Sequence, residues 1–162
     1  VLGWDQNGGW REPREPVGVV SSHRAPDVFA FARHPRVSEQ VWSGSIGYPG
    51  DGIYMEFHRK HGDHGLRYHK VTSTKTALSD KHPYYPDDIP GKVFEHAQHF
   101  ANVVRDTLAE YRGRTGRRGV VVASFDAELF GHWWFEGPQF LRDVVLTLAN
   151  DPSVNLITAE EA

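Results

Sequence analysis

The alternation of helical and strand patterns between residues 91 and 162 most constrains the fold of this chain. From residue 93 to 111, apolar side chains recur every three or four positions, which predicts an amphipathic helix. Residues 120–125, V-V-V-A-S-F, are typical of a strand buried on both faces of a parallel sheet. A second helical pattern at 138–149 and a strand pattern at 154–157 follow. The alternation predicts βα units and therefore an α/β fold.

The ends of these elements carry recognisable signals. Asp87 or Asp88 is expected to cap the first helix, and Gly113 and Gly116 are expected to end it. The last strand pattern runs into T-A-E-E, in which Glu161 stands three residues after a Thr, as in a capping box. Because a domain seldom ends where a helix begins, the sequence is expected to be a fragment of a longer enzyme.

The first half of the chain has weaker patterns. Residues 1–16 are rich in Gly, Trp and Pro and predict a loop. Short apolar runs at 17–20 and 28–31 predict strands. Residues 39–90 have little periodicity and predict one long loop region. Since long loops in compact domains are usually functional, this region is expected on the substrate side of the molecule.

Composition excludes several classes of function. The 162 residues contain no Cys, which excludes disulfides, thiolate catalysis and Cys-type zinc sites. A formal net charge of −3 argues against nucleic-acid binding and against a polybasic membrane binder. No apolar run approaches the roughly 20 residues of a membrane span, so no membrane association is expected. No signal peptide is visible, which weakly favours a cytoplasmic location.

The 10 His residues invite a metal hypothesis. His58, His61, His64 and His69 cluster in the long loop region, and a further pair lies on the first predicted helix. Fixed metal-site signatures such as H-E-x-x-H are missing, however. We therefore expect neither a metal nor another cofactor.

The stretch 124–138, S-F-D-A-E-L-F-G-H-W-W-F-E-G-P, carries the strongest chemical signal. Asp126 directly follows a predicted buried strand, and catalytic groups of parallel α/β folds gather at the carboxyl ends of strands. Glu128, His132, Trp133 and Trp134 stand beside it. Carboxylates among aromatic faces suit a carbohydrate site, because sugar rings stack on aromatic side chains. The alternative is an ordinary βα loop whose aromatic side chains fill the core.

Two further observations leave alternatives open. Glu128 and Glu136 either orient Asp126, meet sugar hydroxyls, or bond backbone amides at the following helix. The second stretch, residues 39–54, places Trp42 and Tyr48 on a segment shaped by Gly and Pro. These aromatic side chains either contact substrate or pack beneath a structural turn.

Taken together, these stretches resemble a known family. Residues 124–138 closely resemble the fourth motif of glycoside hydrolase family 57. Q-V-W-S followed by G-Y-P-G-D-x-x-Y is similar to a segment of that family's 1,4-α-glucan branching enzymes. N-L-I-T-A-E-E-A resembles the fifth motif, although it ends in Ala162 where an aromatic residue is usual.

The resemblance implies that residues 1–162 form a fragment of one catalytic domain, which has the fold of an incomplete (β/α)7 barrel. It also implies that this domain acts on α-1,4-glucans with retention of configuration. Asp126 matches the family's general acid/base. The nucleophilic Glu belongs to a third motif that is missing here and is expected upstream of Val1. Trp42 matches a Trp that lines the acceptor site. Trp4 and Trp10 lie where those enzymes carry a mobile loop with an aromatic residue over the cleft.

Three functions are therefore weighed. The first is 1,4-α-glucan branching, with an α-1,4-glucan as the partner. The second is hydrolysis or disproportionation by an α-amylase or a 4-α-glucanotransferase, against which the Q-V-W and G-Y-P-G-D segments argue. The third is a non-catalytic glucan-binding fragment. The candidate substrate-binding residues are Trp42, Tyr48, Glu128, His132, Trp133, Trp134, Trp4 and Trp10.

Overall fold

The computed structural model describes residues 17–18 and 29–162. Strand β1 (Val17–Gly18) pairs antiparallel with strand β2 (Phe29–Ala30), and Val17 lies opposite Ala30. Paired strand residues thus lie within both of the runs predicted as strands, at 17–20 and at 28–31. The loop predicted at 1–16, with Trp4 and Trp10, lies outside the described residues.

Helix α1 (Pro35–Trp42) is a feature that the sequence patterns did not predict. The expectation that the long loop region starts at residue 39 is wrong, because that position lies inside this helix. Pro35 suits the first turn, where its missing N–H has no intrahelical partner to lose. Val37 and Val41 are buried one helical turn apart, so α1 uses a narrow apolar stripe.

Both long helices predicted from apolar periodicity are confirmed, as α2 (Ile89–Thr115) and α3 (Gly137–Ala149). Asp88 occupies the N-cap position of α2, but its side chain makes no capping hydrogen bond there. Gly116 ends α2 in the left-handed conformation with φ 70°, and its N–H donates to Arg112 O. Gly113, the other predicted stop, lies within the helix.

The core lies between these two helices, and packed against it are the side chains of Val121, Ala123, Phe125 and Val154. Burying an aliphatic or aromatic side chain contributes about 1.5–3 kcal/mol, so this interface dominates the stability of the helical layer. Its main buried side chains are Val93, Ala97, Phe100 and Val104 of α2 and Phe140, Val144 and Leu148 of α3.

The two strands expected at 120–125 and 154–157 are not formed as strands in the part of the chain that the structure describes. The first of these segments is bonded to the chain near α1, where His34 N–H donates to Val122 O at 2.9 Å. Both segments line an apolar groove against α2 and α3. The correction has a physical reason: a ladder needs a neighbouring strand, and apolar character alone does not supply one.

The excursion, residues 43–88 between α1 and α2, is irregular but locally ordered. Isolated bridges join Met55 to Lys70 and His69 to Pro83, so three short pieces of chain lie side by side. Beneath them, Lys81 Nζ donates to Glu56 Oε2 at 2.8 Å and to two backbone carbonyl oxygens. This buried ion pair is fully hydrogen-bonded, which is the condition for tolerating charge in an interior.

Two smaller findings complete the fold. The capping-box bonds predicted at the end of the chain are present: Thr158 N–H donates to Glu161 Oε2 at 2.8 Å, and Glu161 N–H donates to Thr158 Oγ1 at 3.3 Å. They close a turn rather than open a helix. Across the described ranges, no helix combines the length and the apolar character that crossing a membrane requires.

Candidate active site

The motif loop, residues 126–136, connects the extended segment 120–125 to α3. Asp126 opens it: the backbone oxygen of Asp126 accepts the N–H of Leu129 at 3.1 Å and starts a single 3₁₀ turn. The side chain of Asp126 is exposed and makes no capping bond to that turn. Its carboxyl therefore remains available to a ligand.

Trp133 presents an aromatic face on the same loop. Its indole Nε1–H donates to Glu128 Oε1 at 2.9 Å, and its ring lies 4.2 Å from the ring of Phe57, centroid to centroid. The side chain is nevertheless 45% exposed. The exposed ring of His132 meets Trp133 edge-on at 5.3 Å. The structure thus brings Glu128, His132 and Trp133 together, with Glu128 bonded to the indole.

Trp134 points the other way and corrects a prediction. It is only 1% exposed, and its ring packs 4.8 Å from Phe140 and 5.6 Å from Tyr54. Gly131, with φ 94°, turns the chain so that its N–H donates to Trp134 O at 2.8 Å. A ring enclosed in this way cannot stack on a sugar, so Trp134 fills the core.

Tyr48 also belongs to the interior. It is 5% exposed, and burial raises the pKa of its hydroxyl. That hydroxyl bonds His99 Nδ1 at 2.6 Å, while the Tyr48 ring stacks on His96 at 4.6 Å. Of the two interpretations of residues 39–54, the packed turn is correct for Tyr48.

The two helix histidines are explained by the same contacts. His96 Nδ1 bonds the hydroxyl of Tyr54 at 2.7 Å, and burial lowers the pKa of His96. In the described part of the chain, no group of three or more His, Asp or Glu side chains is arranged to hold a metal ion.

Glu136 links the motif loop to the excursion. It is 4% exposed, and its Oε1 accepts the backbone N–H of Met55 at 2.9 Å. Burial raises the pKa of Glu136, while the Met55 N–H and the Tyr84 hydroxyl lower it by smaller amounts. Of the roles considered for this side chain, bonding to a backbone amide is the one observed, but the amide belongs to the excursion rather than to α3.

Trp42 lies close to Phe125, the residue before the motif loop. It is the last residue of α1, is 39% exposed, and its ring lies 6.2 Å from the ring of Phe125, the residue before Asp126. Two distant parts of the sequence thus place an exposed indole next to the residue that precedes Asp126.

Sequence patterns missed the contribution of the excursion to this region. Phe57 contacts both Trp133 and His132, and the guanidinium of Arg67 lies 4.6 Å over the Phe57 ring. Neither residue lies in a motif. Their only sequence signal was the general richness of the excursion in aromatic and basic residues.

An exposed carboxyl and an exposed indole on one loop are features that suit a carbohydrate ligand. The chain is 43% identical over 122 residues to the 1,4-alpha-glucan branching enzyme of Thermococcus kodakarensis, covering 75% of this chain and 18% of that protein. It is also 43% identical over 133 residues to a probable 1,4-alpha-glucan branching enzyme of Mycobacterium tuberculosis, covering 82% of this chain and 24% of that protein. It thus spans a quarter or less of both relatives.

Solved structures of glucan-active enzymes are also similar to this chain. The crystal structure of the family 57 branching enzyme from Thermococcus kodakaraensis matches with a TM-score of 0.86 at 36% identity, over 99% of this chain and 28% of that one. The α-amylase AmyC of Thermotoga maritima matches with a TM-score of 0.80 at 36% identity, over 96% of this chain and 32% of that one. No family model matches the chain. The chain is similar to the 1,4-α-glucan branching enzymes of glycoside hydrolase family 57.

Proposed function

We propose that this chain carries the acid/base side of a retaining α-glucan-active site, and that the protein is a 1,4-α-glucan branching enzyme. One observation carries the proposal: the exposed carboxyl of Asp126 lies on the same loop as the exposed indole of Trp133 and directly follows Phe125, whose ring lies 6.2 Å from the exposed ring of Trp42. The relatives that are named branching enzymes support the choice of reaction.

The proposed barrel follows from the apolar groove. Residues 120–125 and 154–157 line this groove beside α2 and α3, which is how strands of a barrel lie against their helices. We propose that these two segments are strands of the family's incomplete (β/α)7 barrel. Their carboxyl ends would then place Asp126 at the catalytic rim.

The proposed chemistry uses two carboxyl groups. A Glu outside these 162 residues attacks the anomeric carbon, while protonated Asp126 donates its proton to the departing glycosidic oxygen. The covalent glycosyl-enzyme is then released when ionised Asp126 takes the proton of an incoming hydroxyl. A 6-hydroxyl of another glucan produces an α-1,6 branch, and water produces hydrolysis.

The second candidate reaction is hydrolysis, which the similarity to an α-amylase supports. The deciding experiment incubates the protein, as its gene encodes it, with amylose and follows two products. New α-1,6 linkages, detected by NMR and by release of side chains with a debranching enzyme, support branching. Reducing ends without branches indicate hydrolysis, and binding without turnover indicates a glucan-binding protein.

Trp42 provides a sharper test of the acceptor side. Trp42→Ala should lower transfer to a glucan acceptor about fivefold while changing hydrolysis less, because one aromatic stacking contact contributes about 0.5–1.5 kcal/mol. The measurement is the ratio of branches formed to reducing ends released. Phe94→Ala, which removes an exposed ring from α2, is the matched control and should leave this ratio unchanged. An equal fall in both products for Trp42→Ala would show that Trp42 has no acceptor role.

A further inference from the structure

Phe57 and Arg67, which lie outside the motif at residues 124–138, form a stack against Trp133. The rings of Phe57 and Trp133 lie 4.2 Å apart with 37° between their planes. The guanidinium carbon of Arg67 lies 4.6 Å from the centre of the Phe57 ring. Arg67 Nε–H also donates to the backbone oxygen of Phe57 at 2.8 Å. One arginine thus holds both the ring and the backbone of Phe57.

The contacts of Trp133 fix its orientation without covering it. Glu128 accepts the indole N–H, His132 meets the ring edge-on, and Phe57 lies against it. Almost half of the side chain remains accessible to solvent. An exposed indole with fewer contacts would sample several rotamers, and ordering it on binding would weaken affinity.

We propose that Phe57 and Arg67 are positioning residues that preorganise Trp133 as a platform for a glucosyl unit of the α-glucan. The proposal rests on the proposed function. It assigns the excursion a role in substrate affinity, although neither residue is expected to touch the reacting atoms. Cation–π attraction between the Arg67 guanidinium and the Phe57 ring holds Phe57 against Trp133.

The chemistry of Arg67 suits this task better than that of a lysine. Its planar guanidinium can lie on a ring face while one N–H still reaches a carbonyl oxygen. The flexible ammonium of a lysine makes the two contacts less well at once. The observed pair of contacts, one to the ring and one to the carbonyl, is what the guanidinium allows.

The test is a double-mutant cycle in the protein as its gene encodes it, with steady-state kinetics on amylose. Phe57→Leu should raise KM about threefold to tenfold and keep kcat within about twofold, because only ground-state positioning is lost. Trp133→Ala should raise KM at least as much. In the Trp133→Ala background, Phe57→Leu should add no further change, because the group that it positions is gone.

Two variants separate positioning from general structure. Phe57→Tyr keeps the ring and should restore KM to within about twofold of the starting protein. Tyr85→Leu removes an exposed ring from the excursion and serves as the matched control, with no expected change in KM. If Phe57→Leu does not fold, Arg67→Met decides, with an expected rise in KM that again disappears in the Trp133→Ala background.

The outcomes are distinguishable. A rise in KM for Phe57→Leu that is equal in both backgrounds overturns the positioning role and leaves the proposed function intact. An unchanged KM for Phe57→Leu, beside a raised KM for Trp133→Ala, also overturns it. An unchanged KM for Trp133→Ala rejects Trp133 as a glucan platform, and the positioning proposal fails with it.

Discussion

The motif loop has an outer side, whose side chains are exposed to solvent, and an inner side, whose side chains are buried. Residues of the two sides follow one another closely along the sequence. On the outer side, Asp126, His132 and Trp133 are exposed to solvent. On the inner side, Trp134 packs on Phe140, and the buried carboxylate of Glu136 accepts the Met55 N–H. The inner side chains attach the loop to the helical core and the excursion. The outer side chains are thereby left free to meet a ligand.

This difference separates activity from stability. Changes on the outer side should alter catalysis or affinity and leave the free energy of unfolding nearly unchanged, because surface substitutions are usually within about ±0.5 kcal/mol. Changes on the inner side should first alter stability, because they remove packing or buried hydrogen bonds.

The largest expected effect is on the outer side, at Asp126. Asp126→Asn keeps the shape of the side chain but cannot exchange a proton, so amylose turnover should fall about 10²–10⁴-fold. The melting temperature should not change. A donor with a very acidic leaving group should be partly spared, and azide, which needs no base, should restore turnover of the covalent intermediate.

Asp87→Asn is the matched control, since it makes the same change at an exposed carboxylate outside the site. Its turnover should equal that of the unmodified protein. Near-normal branching by Asp126→Asn would contradict the acid/base assignment and remove the functional contrast between the two sides of the loop.

The next effect is on the inner side, at Trp134. Trp134→Ala should destabilise the protein by about 3–5 kcal/mol, because a fully buried Trp leaves a cavity when it is truncated. Urea unfolding followed by circular dichroism measures this loss. Trp133→Ala, at the adjacent position, is the matched control and should cost less than about 1 kcal/mol. Equal losses for the two variants would show that the loop has no distinct inner side.

The smallest effect is a pH dependence at Glu136. Burial raises the pKa of Glu136 above its ordinary value of 4.5, so its stabilising contribution is full below pH 4.5 and is lost as pH rises through the raised pKa. Glu136→Gln does not titrate and keeps an acceptor for the Met55 N–H. Its stability relative to the unmodified protein should therefore increase with pH.

Melting temperatures of both proteins between pH 4.5 and about pH 7.5 measure this trend. Glu39→Gln makes the same change at an exposed position of α1 and is the matched control. A constant difference between Glu136→Gln and the unmodified protein across this range would mean that Glu136 carries no penalty for a buried charge.

The elements that could be predicted are those whose signal is local. Helices α2 and α3 follow from an apolar repeat within each segment, and Gly116 ends α2 because it adopts a positive φ at low cost. Helix α1 was missed because its eight residues show only a narrow apolar stripe. Segments 120–125 and 154–157 have strand character, but pairing depends on neighbours that a local pattern does not reveal.

For the site, the sequence by itself determined the composition of the motif loop and the position of Asp126 at the end of an apolar segment. Only the tertiary structure decided which side chains face outward. Trp133 and Trp134 are identical in chemistry and adjacent in sequence, so no local pattern separates them. Phe57 lies against Trp133, whereas Tyr54 and Phe140 pack around Trp134. Both Phe57 and Tyr54 come from the excursion, far away along the chain, and burial depends on such contacts in space rather than on order in sequence.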